Sequence, residues 1–228
     1  MLGCTRLTEG CTNCHPTFIH KFIISGDDDY KHGYDLLYQK DSLAIPYYWK
    51  PPQTIIVNPA SYPFQPEVKP QYLEKMFRVM NETLEHTYLI TTKRPQLAKM
   101  LSHKLKWTPN IWLGVAVENT NALARIDTLR EIEAHVKFLS FVPLLEPLPN
   151  LDLKGIDWVI VGGENGFKNR KTEKEWVLDI LSQCRQEGIP FYFKNWEGGI
   201  GKQKDRFLNG RTYDEMPKTA DSNPFGSF

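Results

Sequence analysis

Residues 87–117, TYLITTKRPQLAKMLSHKLKWTPNIWLGVAV, decide the fold, because they read as a strand, a helix and a second strand. Thr87–Thr91 and Ile111–Val117 are short apolar runs, typical of strands that are buried on both faces of a parallel sheet. Between them, Pro95 opens a helical pattern over Gln96–Lys104. A strand, a helix and a strand in this order form a right-handed βαβ unit.

The same alternation continues on both sides of this unit. Four more apolar runs predict strands: Thr54–Asn58, Lys137–Phe141, Trp158–Val161 and Pro190–Lys194. Apolar residues at 3–4 spacing predict further helices over Tyr72–Leu84, Asn121–Glu133 and Glu173–Glu187, and Gly188 ends the last of these. We predict an α/β fold, a parallel (β/α) repeat forming a partial TIM-like barrel of about six strands. This barrel spans residues 1–197, and a loop-rich C-terminal tail spans residues 198–228.

Composition narrows the class of protein. The chain has 228 residues, 41% of them hydrophobic, and a formal net charge of +1, so its overall charge does not favour a polyanionic partner. No apolar run approaches the roughly 20 residues that a membrane span needs. The N-terminus does not read as a signal peptide. We therefore expect a cytoplasmic protein without a membrane partner.

Three of the four cysteines lie within the first fourteen residues, in the stretch GCTRLTEGCTNCH. Thiolates are ligands that suit iron–sulfur clusters and zinc, so Cys4, Cys11 and Cys14 predict a metal centre. Three thiolates favour a [4Fe–4S] cluster with one open iron, whereas a structural zinc site normally has four protein ligands. His20 could complete a zinc site better than His15, which adjoins Cys14. A chain without metal is the third alternative.

The fourth cysteine, Cys184, stands apart in a helical segment. It reads as a small core hydrophobe rather than as an extra ligand or a reactive thiol.

Polar residues follow the predicted strands, where the chemistry of a parallel α/β fold is located. Lys93 could bind a phosphate or a carboxylate, or lie in a solvated loop. Gly162 and Gly163 would let the backbone approach a ligand closely, with Glu164 either in the active site or in a simple turn. Further candidates end the first and the last strand: Asn58, Ser61, Lys194 and Trp196. Trp196 could stack on a base or on adenine, or only close the barrel.

A cysteine trio followed by parallel βα units resembles the radical S-adenosylmethionine (SAM) superfamily. More closely, the chain resembles a phage and prophage family of three-cysteine-motif proteins of unknown function, itself distantly similar to spore photoproduct lyase. The similar motifs run along nearly the whole chain: Trp49–Pro51 (WKP), Val57–Ser61 (VNPAS), Leu89–Pro95 (LITTKRP), Trp112–Asn119 (WLGVAVEN), Phe138–Pro147 (FLSFVPLLEP), Trp158–Gly166 (WVIVGGENG), Phe191–Trp196 (FYFKNW) and Asn209–Pro217 (NGRTYDEMP).

The resemblance implies an enzyme that uses a [4Fe–4S] cluster and a reductant to cleave SAM to a 5′-deoxyadenosyl radical. It makes Glu118 and Arg125 the best SAM contacts, the alternative being a surface ion pair or a carboxylate at a helix start. Lys93, Glu164 and Lys194 are catalytic candidates because of their positions at strand ends. The substrate is unknown, with a nucleic acid or a nucleotide suggested by analogy.

The chain also departs from the resembled family. His15, Val142 and Tyr62 stand where that family usually has tyrosine, an acidic residue and aspartate, and its usual first barrel strand is expected to be missing here. These departures motivate the alternative of a non-catalytic relative with a structural zinc site that binds a protein or nucleic acid. A third alternative is an iron–sulfur protein for electron transfer, although such clusters usually have four protein ligands.

Overall fold

Six parallel strands form one sheet in the order in which they occur along the chain. The computed structural model describes residues 4–14, 36, 38, 41–58, 62–166, 168–198 and 205–218. The strands are β1 (Thr54–Val57), β2 (Thr87–Thr92), β3 (Ile111–Ala116), β4 (Val136–Phe141), β5 (Trp158–Gly162) and β6 (Phe191–Asn195). The sheet curls into a half-barrel, which confirms the predicted fold class.

Four α-helices connect the strands. They are α1 (Pro70–Glu82), α2 (Pro95–Ser102), α3 (Ala124–Arg130) and α4 (Lys174–Gln186). Each predicted helix is confirmed, except that the pattern over 121–133 is divided between a 3₁₀ turn, Thr120–Ala122, and the shorter α3. No helix in the described part of the chain is long and apolar enough to cross a membrane.

The end of α4 explains why Gly188 stops this helix. Gly188 has φ +66°, a left-handed conformation that glycine adopts without a Cβ penalty. The next amide, of Ile189, then donates to the Cys184 carbonyl at 2.9 Å, and the Cys184 side chain is fully buried. Cys184 is therefore a core residue, as predicted, and burial raises its pKa to about 12.

The sheet has two differently packed faces, because successive side chains of a strand point to opposite sides. The outer face packs against the helices in the main core, with Leu113, Val159 and Phe193 fully buried. The concave face carries a second apolar cluster built around Trp112, Phe138 and Trp158. This second cluster fills the amino end of the half-barrel, so the carboxyl end is where a site can form.

Residues 205–217 of the C-terminal segment pack against the barrel. Leu208 is fully buried, and Tyr213 packs edge-on against Phe191 with ring centroids 5.6 Å apart. The Phe193 amide donates to the Tyr213 carbonyl at 2.9 Å, and Trp158 Nε1 donates to the Glu215 carbonyl at 2.8 Å. Residues 205–217 thus cover the outer edge of β6 and the amino end of the barrel.

Gly114 leaves the space that the Phe138 ring occupies on the concave face. A Cβ at Gly114 would overlap this ring, which is 1% exposed and has no room to move outward. We predict that Gly114→Ala lowers the free energy of unfolding by about 1–3 kcal/mol, the usual cost of overpacking a core. Urea denaturation measures this change. In the double variant with Phe138→Leu, the added cost of Gly114→Ala should largely disappear, and equal costs in both backgrounds would contradict the packing account.

Candidate functional site

The N-terminal segment Cys4–Cys14, here called the cysteine loop, lies across the carboxyl ends of the strands. Its Thr8 hydroxyl donates to the Glu118 carboxylate that follows β3. Its Cys11 Sγ lies 3.3 Å from the Lys93 Nζ that follows β2, and its Asn13 Nδ2 lies 3.0 Å from the Glu164 carboxylate that follows β5. The loop is therefore held by three strand ends at the edge where α/β folds place their sites.

A buried ion network lies directly under this loop. Lys93 Nζ is 2.8 Å from Glu118 Oε1, and Arg125 Nη1 is 2.8 Å from Glu118 Oε2. The side-chain exposures are 5% for Lys93, 1% for Glu118 and 11% for Arg125. Burial alone would raise the pKa of the Glu118 carboxyl, but Lys93, Thr8 and Arg125 together hold it below its ordinary value of 4.5. Glu118 is thus a carboxylate whose two oxygens are both in use.

A glycine lets the loop approach this network. A Cβ at Gly10 would lie 2.9 Å from Glu118 Oε1 and 3.1 Å from Lys93 Nζ. Any side chain there would push the loop away from the ion pair. The glycine before Cys11 is therefore required by close contact with the barrel.

The thiols of the loop differ in their electrostatic surroundings. Burial would raise the pKa of the Cys11 thiol, but Lys93 and hydrogen bonds from Leu7 and Thr8 hold it below its ordinary value of 9.0. Burial raises the pKa of Cys4 despite a hydrogen bond from the Tyr62 backbone. Cys11 is consequently the more readily ionised of the two, which suits a metal ligand.

The Tyr62 hydroxyl is affected by the charges of all three cysteines. Burial raises the pKa of its hydroxyl, and the neighbouring Cys14, Cys11, Glu118 and Cys4 raise it further, in that order. All three cysteines are free thiols and half-buried. Within the described residues, however, no three His, Cys, Asp or Glu side chains are close enough to hold one metal ion. The predicted zinc ligands His15 and His20 lie outside the described residues.

Glu164 holds the far end of the cysteine loop. Its carboxylate accepts from the Arg170 amide at 2.8 Å, from the Arg170 guanidinium and from Asn13. Arg170 also donates to the Glu9 carbonyl at 2.9 Å, so one arginine joins Glu164 to the loop. Burial would raise the pKa of Glu164, but Arg170 and then Asn13 lower it. We call Glu164, Arg170 and Asn13 the latch.

The remaining predicted site residues lie around the same edge. Asn58 follows β1 with φ +48°, and its buried Nδ2 has no hydrogen-bond partner among the described residues. Ser61 lies outside the described residues. Gly162 ends β5, and Gly163 lies so close to the backbone of Glu197 that no Cβ would fit.

Lys194 and Trp196 are placed at the end of β6. Lys194 is exposed. Its Cβ lies 3.2 Å from the position that a Cβ on Gly162 would occupy. Trp196 packs against Phe193 with ring centroids 4.8 Å apart, and its Nε1 donates to the Phe207 carbonyl at 3.0 Å. The structure brings Lys93, Glu118 and Arg125 into one network, whereas Lys194 and Trp196 lie at another strand end.

A model of a protein family matches residues 1–217, and that family is described as "Protein of unknown function (DUF5131)". The chain belongs to the DUF5131 family. Neither the curated proteins nor the solved structures contain a match.

Three residues that hold the site of this DUF5131 protein were not identified from the sequence. They are Thr8, Asn13 and Arg170, which join the cysteine loop to Glu118 and Glu164. Thr8 and Asn13 lie within the cysteine motif, so their position was a usable signal. Arg170 gave no signal, because it meets the Glu9 carbonyl 161 positions away in the chain.

We predict that Glu118→Gln lowers the free energy of unfolding at pH 7 by about 3–5 kcal/mol, because it leaves two buried cations without their carboxylate. Since folding lowers the pKa of Glu118, its stabilising contribution is present above pH 4.5 and is lost as the pH falls through the folded-state pKa. The stability difference between wild type and variant should therefore shrink below pH 4.5. Urea unfolding across pH measures both effects.

A matched control for Glu118 is Glu131, whose pair with Lys99 lies at the surface with 55% of the Glu131 side chain exposed. Glu131→Gln should change stability by less than about 1 kcal/mol. Equal losses in the two variants would contradict the account of a buried network.

We predict that Arg170→Met loosens the cysteine loop while the barrel stays folded, because the variant loses both the Glu164 pair and the contact with the Glu9 carbonyl. Hydrogen–deuterium exchange should speed up in amides of the cysteine loop and stay unchanged in β3 and β4. Lys171→Met removes a neighbouring exposed cation and serves as the control. Unchanged exchange of the loop in Arg170→Met would disprove the latch.

Proposed function

We propose that this DUF5131 protein is a radical SAM-type iron–sulfur enzyme whose Cys4, Cys11 and Cys14 hold a [4Fe–4S] cluster. The observation that carries the proposal is the position of the cysteine loop over the buried Lys93–Glu118–Arg125 network, at the carboxyl ends of parallel strands. The resemblance of the cysteine trio and the following βα units to the radical SAM superfamily supports the same proposal.

The donor set favours a cluster over a single zinc ion. Four ligands of one zinc lie about 2.0–2.3 Å from it and must converge, whereas a cluster distributes its thiolates over separate irons. The cysteine loop supplies three thiols, one fewer than the four protein ligands that a structural zinc site normally has. This three-thiol donor set is the ligation that we propose for a cluster with one open iron.

The chain's own residues prepare the thiolates. Lys93 stabilises ionised Cys11, and its positive charge offsets part of the negative charge that three thiolates bring to a partly buried site. Glu118 fixes Lys93 in this position, and Arg125 fixes Glu118. When bound, the cluster and SAM would supply the one-electron reductive cleavage that yields a 5′-deoxyadenosyl radical.

This arrangement changes the proposed roles of Glu118, Arg125 and Glu164. Glu118 and Arg125, the SAM contacts suggested by resemblance, are occupied with each other and with Lys93. We assign them to holding Lys93 and the cysteine loop, and Glu164 to the latch. Asn58, whose buried Nδ2 needs an acceptor, is the better candidate for contact with a bound SAM.

The proposal also includes a cytoplasmic location, an electron donor and a substrate. A cluster with an open iron suits the reducing cytoplasm and needs an external electron donor. The substrate is proposed to be a nucleic acid or a nucleotide. Either would be bound at the carboxyl ends of the strands, where the cysteine loop lies.

Anaerobic reconstitution with iron and sulfide tests the proposal. We expect about four irons per chain and an electron paramagnetic resonance spectrum of the reduced protein that shifts when SAM is added. Cys11→Ser should lose most of the bound iron, because its thiolate is a proposed ligand. Release of 5′-deoxyadenosine, measured by chromatography, would establish the activity.

The control is Cys184→Ala, which removes the buried cysteine of α4 and should keep the iron. One zinc per chain with no spectral response to SAM would contradict the proposal and favour a non-catalytic binding protein. A reducible cluster without any response to SAM would favour electron transfer instead.

A further inference from the structure

An open cavity lies beside β1, on the edge of the sheet opposite to the one that the C-terminal segment covers. Its volume is about 520 Å³, within the range of about 300–1,000 Å³ that is usual for small-molecule sites. The cavity is lined by Trp49, Lys50, Gln53, Thr54, Ile55 and Ile56. We call it the Trp49 cavity.

Trp49, which lines the cavity, and Tyr48, which precedes it in the chain, are both exposed aromatic side chains. Tyr48 is 83% exposed and Trp49 is 45% exposed. Their neighbour Tyr47 is different, because its hydroxyl is bound to the Glu82 carboxylate. Rings of this size contribute to folding only when they are buried, so adjacent exposed rings indicate a surface that binds something.

The strand beside the cavity is exposed as well. Ile56 is 59% exposed, although it pairs in register with the buried Leu89 of β2. Since registered residues of parallel strands share a face, Ile56 lies on the concave side of the sheet with Leu89. Ile56 therefore places part of the cavity lining on the concave side, whereas its neighbour Ile55 packs against the main core.

The chemistry of the lining defines the ligand. A tryptophan ring offers a stacking face, and Lys50, the one charged residue among the described residues that line the cavity, offers a cation next to it. A planar base attached to a phosphate matches this combination, because the base stacks on the ring and the phosphate pairs with the ammonium group. Gln53, whose Nε2 donates to the Lys50 carbonyl at 2.8 Å, adds an amide oxygen that can accept from a base edge.

We propose that the Trp49 cavity is a nucleotide-binding site, in which a base stacks on Trp49 and its phosphate contacts Lys50. Tyr48 provides a second stacking face for the next base of a single strand. The site lies outside the cysteine loop and does not depend on iron or SAM.

The position of the cavity connects it with the carboxyl edge. β1 runs from Thr54 beside the cavity to Val57, and Asn58 follows at the strand end. Four residues of a strand span about 13 Å at roughly 3.3 Å each, a distance that a few stacked nucleotides cover. A single strand held at Trp49 would therefore extend toward the site under the cysteine loop.

Fluorescence anisotropy with a fluorescein-labelled 15-residue oligothymidylate tests the proposal on the protein as isolated. We expect saturable binding that Trp49→Ala weakens by roughly 5- to 150-fold, as expected when one stacked base is lost. Lys50→Met should weaken binding and reduce the salt dependence of log K by about 0.7, the value for one phosphate contact on a single strand.

Two controls separate the site from general effects. Phe207→Ala removes a ring that is 61% exposed on the C-terminal segment, and Lys99→Met removes an exposed lysine of α2. Both should bind the oligonucleotide as the wild type does. Thermal unfolding of each variant checks that the fold is intact.

Competition with thymidine monophosphate distinguishes the two sources of the ligand. Displacement by the mononucleotide at comparable concentration supports a site for a single nucleotide, and displacement by oligonucleotides alone supports a single-strand site. Absence of binding, or binding that Trp49→Ala changes by less than twofold, would overturn the proposal. Self-association that Trp49→Ala abolishes, without nucleotide binding, would instead assign the exposed rings to a protein contact. Because the assay needs no iron, its result stands apart from the test of the enzyme activity.

Discussion

The ion pair between Lys93 and Glu118 is the constraint on which the candidate site depends. Both side chains are almost fully buried, and each requires the other because an unpaired charge in such a place is costly. Their strands are neighbours in the sheet, so the pairing of β2 with β3 brings the two side chains together. Thr8 and Cys11 then bind the same pair from above. The cysteine loop is thus attached to the barrel through the hydrogen bonds and charged contacts that Thr8 and Cys11 make with this pair.

This attachment gives the thiols a defined electrostatic environment. Lys93 contacts both the Glu118 carboxylate and Cys11, so its positive charge stabilises negative charge in the barrel and in the loop. Arg125 supplies a second positive charge on the far side of Glu118. The latch of Glu164 and Arg170 fixes the other end of the loop at β5. These two attachments, together with the bond from the Thr5 amide to Gln65 Oε1 at 3.0 Å, explain how a loop with little secondary structure of its own keeps one position.

Much of the fold could be predicted from the sequence, because parallel strands buried on both faces are continuous apolar runs. The pattern from Thr87 to Val117 already contains a complete βαβ unit, and the observed boundaries differ from the predicted ones by about one residue per strand. The site was predictable only in part. Lys93, Glu118 and Glu164 could be identified because they follow predicted strands. Their partners in the cysteine loop could not, because each lies more than 80 positions away in the chain. The docking of residues 205–217 was missed because that segment lacks any regular period.

Anomalous X-ray diffraction from crystals of the reconstituted protein, recorded at the iron and the zinc absorption edges, tests the central claim most directly. The account predicts an iron signal of about four atoms bounded by the Sγ atoms of Cys4, Cys11 and Cys14, with Lys93 beside Cys11. A single zinc peak at these cysteines, or an iron signal elsewhere in the molecule, would contradict it.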